Sequence, residues 1–329
     1  MSKPKIQILI PQYKETEEVL KPLLDSIEVQ QNVNLKTDVG VIIVNDGTDV
    51  HLSQDFFKRY SFPIEYHLNP HKGVSATRNA CLDHATADYV MFCDADDMFY
   101  NACGLYIIFR EIDNGGFDSL VSAFIEESRI PETKEPIYIN HDMDSTFVHG
   151  KVHNRNFLIK NKIRWNENLT IHEDSYFNCL CQRLAKELKY SQTSFYLWRW
   201  RDASVCRHDP KYILKTYNNM LDSNDALVTQ FLNRGRKDDA MFYATSMIYD
   251  AYFTMNKDEW LNQENKDYRH ATELRFKEYW FKYKELHDAI PYEIKAQIIM
   301  GIKNRMYAEG MVLETLTFNE WIKQVEVIK

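Results

Sequence analysis

Short apolar runs alternate with amphipathic stretches through the N-terminal part of the chain. Ile6-Gln7-Ile8-Leu9-Ile10 predicts a strand stopped by Pro11. Val19, Leu20, Leu23, Leu24 and Ile27 recur at helical spacing, so Glu17 to Val29 predicts an amphipathic helix. Val39 to Val44 is almost wholly apolar, the pattern of a parallel strand buried on both faces. Residues 64–68 predict a third strand, Ser75 to His84 a helix entered through Gly73, and Tyr89 to Cys93 a fourth strand. This repetition predicts an α/β protein, a Rossmann-like open mixed sheet with right-handed crossovers. Residues 101–112 then predict a helix, Ser119 to Ile125 a strand, and Glu126 to Asp144 a loop or hairpin. Residues 151–161 predict a short helix, Ser175 to Leu188 a longer one, and Phe195 to Trp200 a strand.

After Pro210 helical patterns take over. Ala240, Ala244, Met247, Ile248, Ala251 and Met255 mark one apolar face, and Ile294, Ile298, Ile302 and Met306 another. A chain of 329 residues suits one large and one smaller domain. The expected division is an α/β domain over 1–209 and an all-helical domain over 210–329.

Composition narrows the classes. Lys+Arg 40 against Asp+Glu 48 gives −8, which argues against broad binding to nucleic acid. No apolar run approaches the ~20 residues that span a bilayer. Met1 to Lys5 leads into the first strand without an apolar signal segment. The six cysteines form no Cys-x-x-Cys pair, and most lie in apolar runs. Reduced core thiols in a cytoplasmic protein, at most peripheral to a membrane face, are expected.

Candidate chemistry gathers at the ends of the predicted strands, where open α/β sheets bind ligands. Those ends carry Gln12-Tyr13-Lys14-Glu15, Asn45-Asp46-Gly47-Thr48 and Asp94-Ala95-Asp96-Asp97. Three carboxylates within the last tetrad repel one another, and a hard cation such as Mg²⁺ or Mn²⁺ relieves that cost. An acidic surface turn capping a helix is the other reading of the same residues.

Several segments together resemble the inverting glycosyltransferases of family two. Ile8 to Glu15 is similar to their Pro-x-Tyr-Asn opening strand, and Val44 to Thr48 to their Val-Asp-Asp-Gly-Ser. Lys72-Gly73-Val74-Ser75-Ala76-Thr77-Arg78-Asn79 resembles their Gly-x-Ser-x-Ala-Arg-Asn helix, and Asp94-Ala95-Asp96 their Asp-x-Asp metal motif. His149 to Arg155 resembles Trp-Gly-Lys-x-x-x-Arg, and Glu173-Asp174 the catalytic Glu-Asp. These stand in the family's order between residues 6 and 207, and the C-terminal third lies outside them. Asn45 stands where Asp is usual, Lys14 where Asn is, and His149 where Trp is.

The resemblance implies an A-type glycosyltransferase fold and a nucleotide-sugar site built from Pro11, Tyr13, Glu15, Asp46, Lys72, Arg78, Asp94 and Ala95. Asp46 is expected to accept the N3–H of uracil, Tyr13 to stack on or flank the base, and Arg78 to reach the base or the diphosphate. Asp94 and Asp96 are the expected metal ligands, joined by His208, whose other reading is an exposed loop histidine. Asp174, with Glu173, is the expected general base, and a helix dipole there favours its ionised form; the competing role for Asp174 is an N-cap. Arg199, Arg201 and Arg207 with Trp198 and Trp200 form either a cationic, aromatic wall or a plain surface strand.

The expected activity is metal-dependent, inverting transfer of a hexosyl or N-acetylhexosaminyl group from a UDP-sugar. The expected acceptor is a hydroxyl of a glycan, a lipid-linked saccharide or another macromolecule, with nucleic acid an unfavoured one. The helical domain is expected to serve the acceptor or a homo-oligomer. The rivals are a nucleotidyltransferase that makes the nucleotide-sugar and a non-catalytic binding protein. The first usually carries a Gly-rich loop after its first strand, where this chain has Pro11 to Glu15.

Overall fold

The computed structural model describes residues 3–144, 146–202, 211–262, 265–308 and 316–329. Contacts divide the chain into two compact units, Met1–Ser204 and Val205–Lys329.

The first unit begins with β1 (Ile6–Gln12), α1 (Glu17–Glu28), α2 (Leu35–Asp38), β2 (Val39–Asp46), α3 (Gln54–Phe57), β3 (Ile64–Asn69), α4 (Val74–His84) and β4 (Tyr89–Phe92). It continues through β5 (Met98–Phe99), α5 (Gly104–Asp113), β6 (Ser119–Arg129), β7 (Pro136–His141), β8 (Lys151–Asn154), α6 (Arg155–Lys160), α7 (Glu173–Leu184) and β9 (Leu188–Trp198). The strands form one nine-stranded mixed sheet in the order β3-β2-β1-β4-β8-β6-β9-β5, with β7 paired to β6 off this path. β1 is parallel to β2 on one side and to β4 on the other, with Ile8 beside both Val41 and Met91. Every residue of β2 is buried, as its unbroken apolar run requires. Strand order reverses at β1, so the crevice between the carboxyl ends of β1 and β4 is where this architecture places a ligand.

Several boundaries differ from the sequence pattern: α7 ends at Leu184, not Leu188, β9 ends at Trp198, not Trp200, and three others differ for a local reason. β1 runs through Pro11 to Gln12, because β4 stops pairing at Leu9 and leaves the proline at a one-sided position where its missing N–H costs nothing. The predicted helix over 151–161 is half strand. Lys151 to Asn154 fill the sheet between β4 and β6, and the helix starts only at Arg155, where the Asn154 side chain accepts from Phe157 N at 3.0 Å. β9 begins at Leu188, well before Phe195. Its first half is mostly polar and half-buried to exposed, and its pairing with β6 breaks register between Ser122 and Phe124. The segment after Ile125 is a hairpin, β6 turning into β7.

The second unit is helical: α8 (Tyr212–Asn233), α9 (Lys237–Met255), α10 (Asp258–Leu261), α11 (Lys266–Ala289), α12 (Tyr292–Ala308) and α13 (Phe318–Val327). The α9 face over Ala240, Ala244, Met247, Ile248, Ala251 and Met255 is buried throughout. On α12 Ile298, Ile302 and Met306 are buried, whereas Ile294 is exposed. A capping box joins Thr317 and Glu320 at the start of α13. No described helix is long and apolar enough to cross a membrane. The described cysteines, Cys81, Cys93, Cys103, Cys179 and Cys181, form no disulfide.

One buried polar side chain carries much of the sheet's placement. Gln7 is 2% exposed, and its Oε1 accepts from Thr86 N at 2.6 Å and Ala87 N at 2.7 Å, which fixes the turn from α4 into β4. Gln7→Leu leaves the N–H groups of Thr86 and of buried Ala87 without this acceptor. The expected loss is about 1–3 kcal/mol of unfolding free energy, read by urea titration; an unchanged midpoint counts against this role.

Candidate active site

The ends of β1, β2 and β4 enclose a cavity of about 360 Å³. Of the residues expected there, Pro11, Tyr13, Glu15, Asp46, Arg78, Asp94, Ala95 and Asp96 line it. Lys72 contributes a backbone N–H, which bonds Asp46 Oδ1 at 2.8 Å. Gln12, His71, Gly73, Val74 and Thr77 also line the cavity; all but His71 fall in segments named from the sequence, without an assigned role. His208 and Arg207 lie outside the described residues.

Gln12 and Asn45 close the floor between β1 and β2. They are register partners, and Asn45 Nδ2 donates to Gln12 Oε1 at 2.7 Å and to Val50 O at 2.9 Å. Asn45 Oδ1 accepts from Thr48 N at 3.0 Å. This explains the amide at a position where the family has Asp: oxygen acceptors surround Nδ2, and a carboxylate has no proton to give them. A Gln and an Asn ending two otherwise apolar strands were the signal in the sequence.

Asp46 is 4% exposed and is held by the segment before α4. Besides Lys72 N, its carboxylate accepts from Gly73 N at 3.0 Å and faces His71 Nδ1 at 2.9 Å. Gly47 permits this approach. Its φ is +68°, and an added Cβ would lie 2.2 Å from His71 N. Tyr13 stacks on the His71 ring, centroids 4.9 Å apart at 25°. The expected base contacts, Asp46 and Tyr13, are thus both engaged with His71.

Arg78 on α4 is the centre of the site. It is 4% exposed, and donates to Asp94 Oδ1 at 2.8 Å and to Glu173 Oε1 at 2.9 Å. Its guanidinium carbon lies 4.5 Å from the Trp165 ring centroid, and Trp165 stacks in turn on Phe177 at 4.1 Å. Burial raises the Asp94 carboxyl, but Arg78 outweighs it and holds the group below its ordinary value.

The acidic turn divides into three different carboxylates. Asp96 bonds Arg201 Nη1 at 2.8 Å, and burial followed by the Asp94 charge pushes its carboxyl up. Arg201 also lies 3.7 Å from Glu15. Asp97 is 1% exposed and bonds Tyr196 OH at 2.5 Å and Arg199 N at 3.0 Å; burial and its acidic neighbours raise it well above the usual range. Asp94, Asp97 and His149 also bring donor atoms within 4.8 Å of one another. Arg199 and Arg201 therefore turn inward onto the acidic turn, through Asp96 O at 3.1 Å and the Asp96 carboxylate respectively.

Glu173 and Asp174 open α7, but neither is its N-cap. That position is His172, in the left-handed conformation with φ of 61° and no side-chain cap bond. Asp174 Oδ1 accepts from Ser175 N at 2.9 Å. Burial, and then the Glu173 charge, push the Asp174 carboxyl up to about 7, with Arg78 opposing. Desolvation outweighs the helix dipole, which reverses the expected direction.

His149, where the family has Trp, is 4% exposed among aromatic rings. Its ring lies 4.9 Å from Tyr196, 5.0 Å from Trp198 and 5.6 Å from Phe147, near-parallel to the last. Burial lowers it to about 3, so it packs as a neutral ring. Lys151 is 1% exposed, and its ammonium bonds Phe147 O. Asn178 on α7 donates to Thr146 O and Phe147 O at 2.8 and 3.0 Å, which ties this loop to the helix of Asp174.

Residues 7–179, just over half of the chain, match the family model for glycosyl transferase family 2, and the chain belongs to that family. It is 25% identical over 256 residues to glycosyltransferase GlyA of Streptococcus pneumoniae, covering 70% of this chain and 35% of that one. It is 26% identical over 319 residues to the poly(ribitol-phosphate) beta-glucosyltransferase of Bacillus spizizenii, covering 92% of this chain and 48% of that one. The chain thus spans half or less of the length of these two relatives. Among solved structures, S. aureus TarS 1-349 superposes with a TM-score of 0.61 at 17% identity, covering 93% of this chain and 92% of that one. TarS 1-349 has also been solved in complex with UDP and with UDP-GlcNAc. The likeness establishes the shared fold, an open mixed sheet followed by helices.

The Arg78 clamp has a measurable cost of removal. Arg78→Met leaves Asp94 and Glu173 without their shared cation. The expected loss is about 3 kcal/mol, the lower end for a broken buried pair because the Asp94 side chain keeps 31% of its surface exposed. Asp94 is depressed in the fold, so its contribution is present above its ordinary value and lost as pH falls through the folded one. Urea unfolding at pH 7 and at progressively lower pH should show the gap between wild type and variant narrowing below about pH 4; a gap that widens on acidification contradicts the assignment.

Proposed function

We propose that the chain transfers a hexosyl or N-acetylhexosaminyl group from a UDP-sugar to an acceptor hydroxyl, by a single displacement that inverts the anomeric centre. The observation that carries this reading is the Arg78 bridge. One guanidinium joins Asp94, on the donor side of the crevice, to Glu173, the neighbour of the proposed base. The two halves of a transfer reaction are thereby held in one electrostatic unit.

In this reading the cavity at the ends of β1 and β2 takes the nucleoside, with Asp46, Tyr13 and His71 as its polar and aromatic walls. Asp94 and Asp96 would hold a divalent cation. The fit rests on hard oxygen donors, on side chains that each keep about a third of their surface exposed at the cavity (31% and 32%), and on the mutual repulsion that raises Asp96. A bound Mg²⁺ or Mn²⁺ supplies charge that stabilises the departing diphosphate, so no protein acid is required there. Asp174 takes the acceptor proton as the hydroxyl attacks. A carboxyl near 7 suits that task at neutral pH, being both ionised in part and basic enough to hold the proton. Glu173, fixed by Arg78, keeps Asp174 from sharing that guanidinium and so from losing basicity.

The relatives support the choice of substrates. TarS has been solved with UDP and UDP-GlcNAc, and a Bacillus relative is named for glucosyl transfer to poly(ribitol phosphate). A hydroxyl-rich phosphate polymer is therefore the acceptor to test first.

Three measurements check this reading. UDP release from UDP-glucose and UDP-GlcNAc with a poly(ribitol phosphate) acceptor should fall about 10²–10⁴-fold in Asp174→Asn, while UDP affinity by calorimetry stays within a few-fold. A variant retaining more than about a tenth of the rate removes Asp174 from the chemistry. The ionised form is the active one, so the wild-type rate should rise with pH up to about 7 and then level; a rate that falls across that range contradicts a carboxylate base. Separately, UDP with Mn²⁺ should raise the melting temperature of the wild type more than UDP with a chelator, because only the folded state binds it. Equal shifts count against a cation at the acidic turn.

A further inference from the structure

The third carboxylate of the acidic turn has no part in the reading above, yet it is the most tightly bonded of the three. Asp97 is 1% exposed, and both of its oxygens are occupied. Oδ2 accepts from the Tyr196 hydroxyl at 2.5 Å, and Oδ1 accepts from Arg199 N at 3.0 Å. The same Tyr196 oxygen accepts from the backbone N–H of Asp94 at 3.2 Å. The Asp97 N–H closes the turn onto Asp94 O at 3.2 Å. One phenol from β9 therefore grips both ends of the tetrad, while Tyr196 itself is fully buried and packed on His149 at 4.9 Å. Asp94 and Asp96, by contrast, keep side chains 31% and 32% exposed at the cavity.

We infer that Asp97 is an internal anchor and not a cation ligand, and that Tyr196 is the positioning residue that sets where Asp94 and Asp96 stand. The inference rests on the cation reading of those two aspartates. Cation binding needs its oxygen ligands within a few tenths of an ångström of fixed distances, with Mg²⁺ the stricter case. Arg78 and Arg201 bond the carboxylates of Asp94 and Asp96, and Arg199 bonds the Asp96 carbonyl. The sheet adds a constraint on both ends of the turn at once, through a hydroxyl that donates to a buried carboxylate and accepts from the turn's first N–H. The alternative grouping of Asp94, Asp97 and His149 requires Asp97 to exchange its bonds to Tyr196 and Arg199 for a cation, at a point where Asp97 and His149 are 1% and 4% exposed. The His149 ring packs on Tyr196 and Phe147 behind the anchor, and its Nδ1, 3.7 Å from Asp97 Oδ2, has no hydrogen-bond partner among the described residues.

Calorimetric titration of Mn²⁺ in the presence of UDP tests the inference on the full chain, with Asp96→Asn, Asp97→Asn and Tyr196→Phe beside the wild type. UDP affinity in chelator is measured for each, because a merely structural lesion lowers it in step with Mn²⁺ affinity. Tyr196→Phe should weaken Mn²⁺ binding about 10-fold or more, the effect of losing a hydrogen bond to a charged group, and leave UDP affinity in chelator within a few-fold. Asp97→Asn still accepts from Arg199 N and can pair with the phenol, so its Mn²⁺ affinity should stay within a few-fold of wild type. Asp96→Asn should abolish Mn²⁺-dependent binding. If Asp97→Asn loses Mn²⁺ as completely as Asp96→Asn, Asp97 is a ligand and the inference fails. It fails equally if Tyr196→Phe binds Mn²⁺ like wild type, or if its UDP affinity in chelator drops in parallel. An Asp96→Asn protein with unchanged Mn²⁺ binding overturns the cation reading itself, and the anchor with it.

Discussion

A buried guanidinium between two carboxylates organises this site. Arg78 is taken out of water at a cost of several kcal/mol, and only close, well-aligned partners offset it. The structure provides them from far apart in the chain: Asp94 at the end of β4, Glu173 at the start of α7, and the face of Trp165. Remove the cation and two acidic groups face one another in a poorly hydrated crevice. Keep it, and Asp94 stays ionised at neutral pH while Asp174, next to Glu173 and not bonded to Arg78, is left basic. Opposite protonation behaviour in neighbouring aspartates follows from which of them the arginine touches.

The sheet makes that arrangement possible. Reversal of strand order at β1 opens a crevice between the ends of β1 and β4. The segment from His71 to Gly73 folds over Asp46 before α4 begins, which aims Arg78, a little over one helical turn on, into the same crevice. On the far side β9 delivers Tyr196, Arg199 and Arg201 to the acidic turn. Arg78 and Asp174 are therefore fixed on helices and Tyr196 on a strand, while the acidic turn between them is tied down by hydrogen bonds to these elements and to Arg199 and Arg201.

Much of this was legible in the sequence because period and position agreed. The apolar run into Asn45-Asp46 suits a strand buried on both faces, which puts the polar residues after it at a ligand-binding edge. Three kinds of feature were not legible. Lys151 to Asn154 reads as the start of a helix, since nothing local says that a gap between β4 and β6 awaits a strand. The early half of β9, Leu188 to Ser194, is mostly polar with no fully buried residue, so no hydrophobic period marks it. The electrostatic sign at Asp174 depended on burial, which a sequence does not print; the helix dipole was visible and desolvation was not. His71 was missed for a related reason. Its importance comes from Gly47, whose positive φ lets two distant segments meet.

The central claim is that one carboxylate, Asp174, drives a single displacement at the sugar's anomeric carbon. The stereochemistry of the first-formed product tests it most directly. Proton NMR of the anomeric region during slow hydrolysis of a UDP-α-hexose, with water as the acceptor, records the configuration before mutarotation mixes the two forms. The account predicts that the β-anomer appears first. An α-anomer as the initial product would mean retention, and with it a mechanism in which Asp174 is not the base of a single displacement.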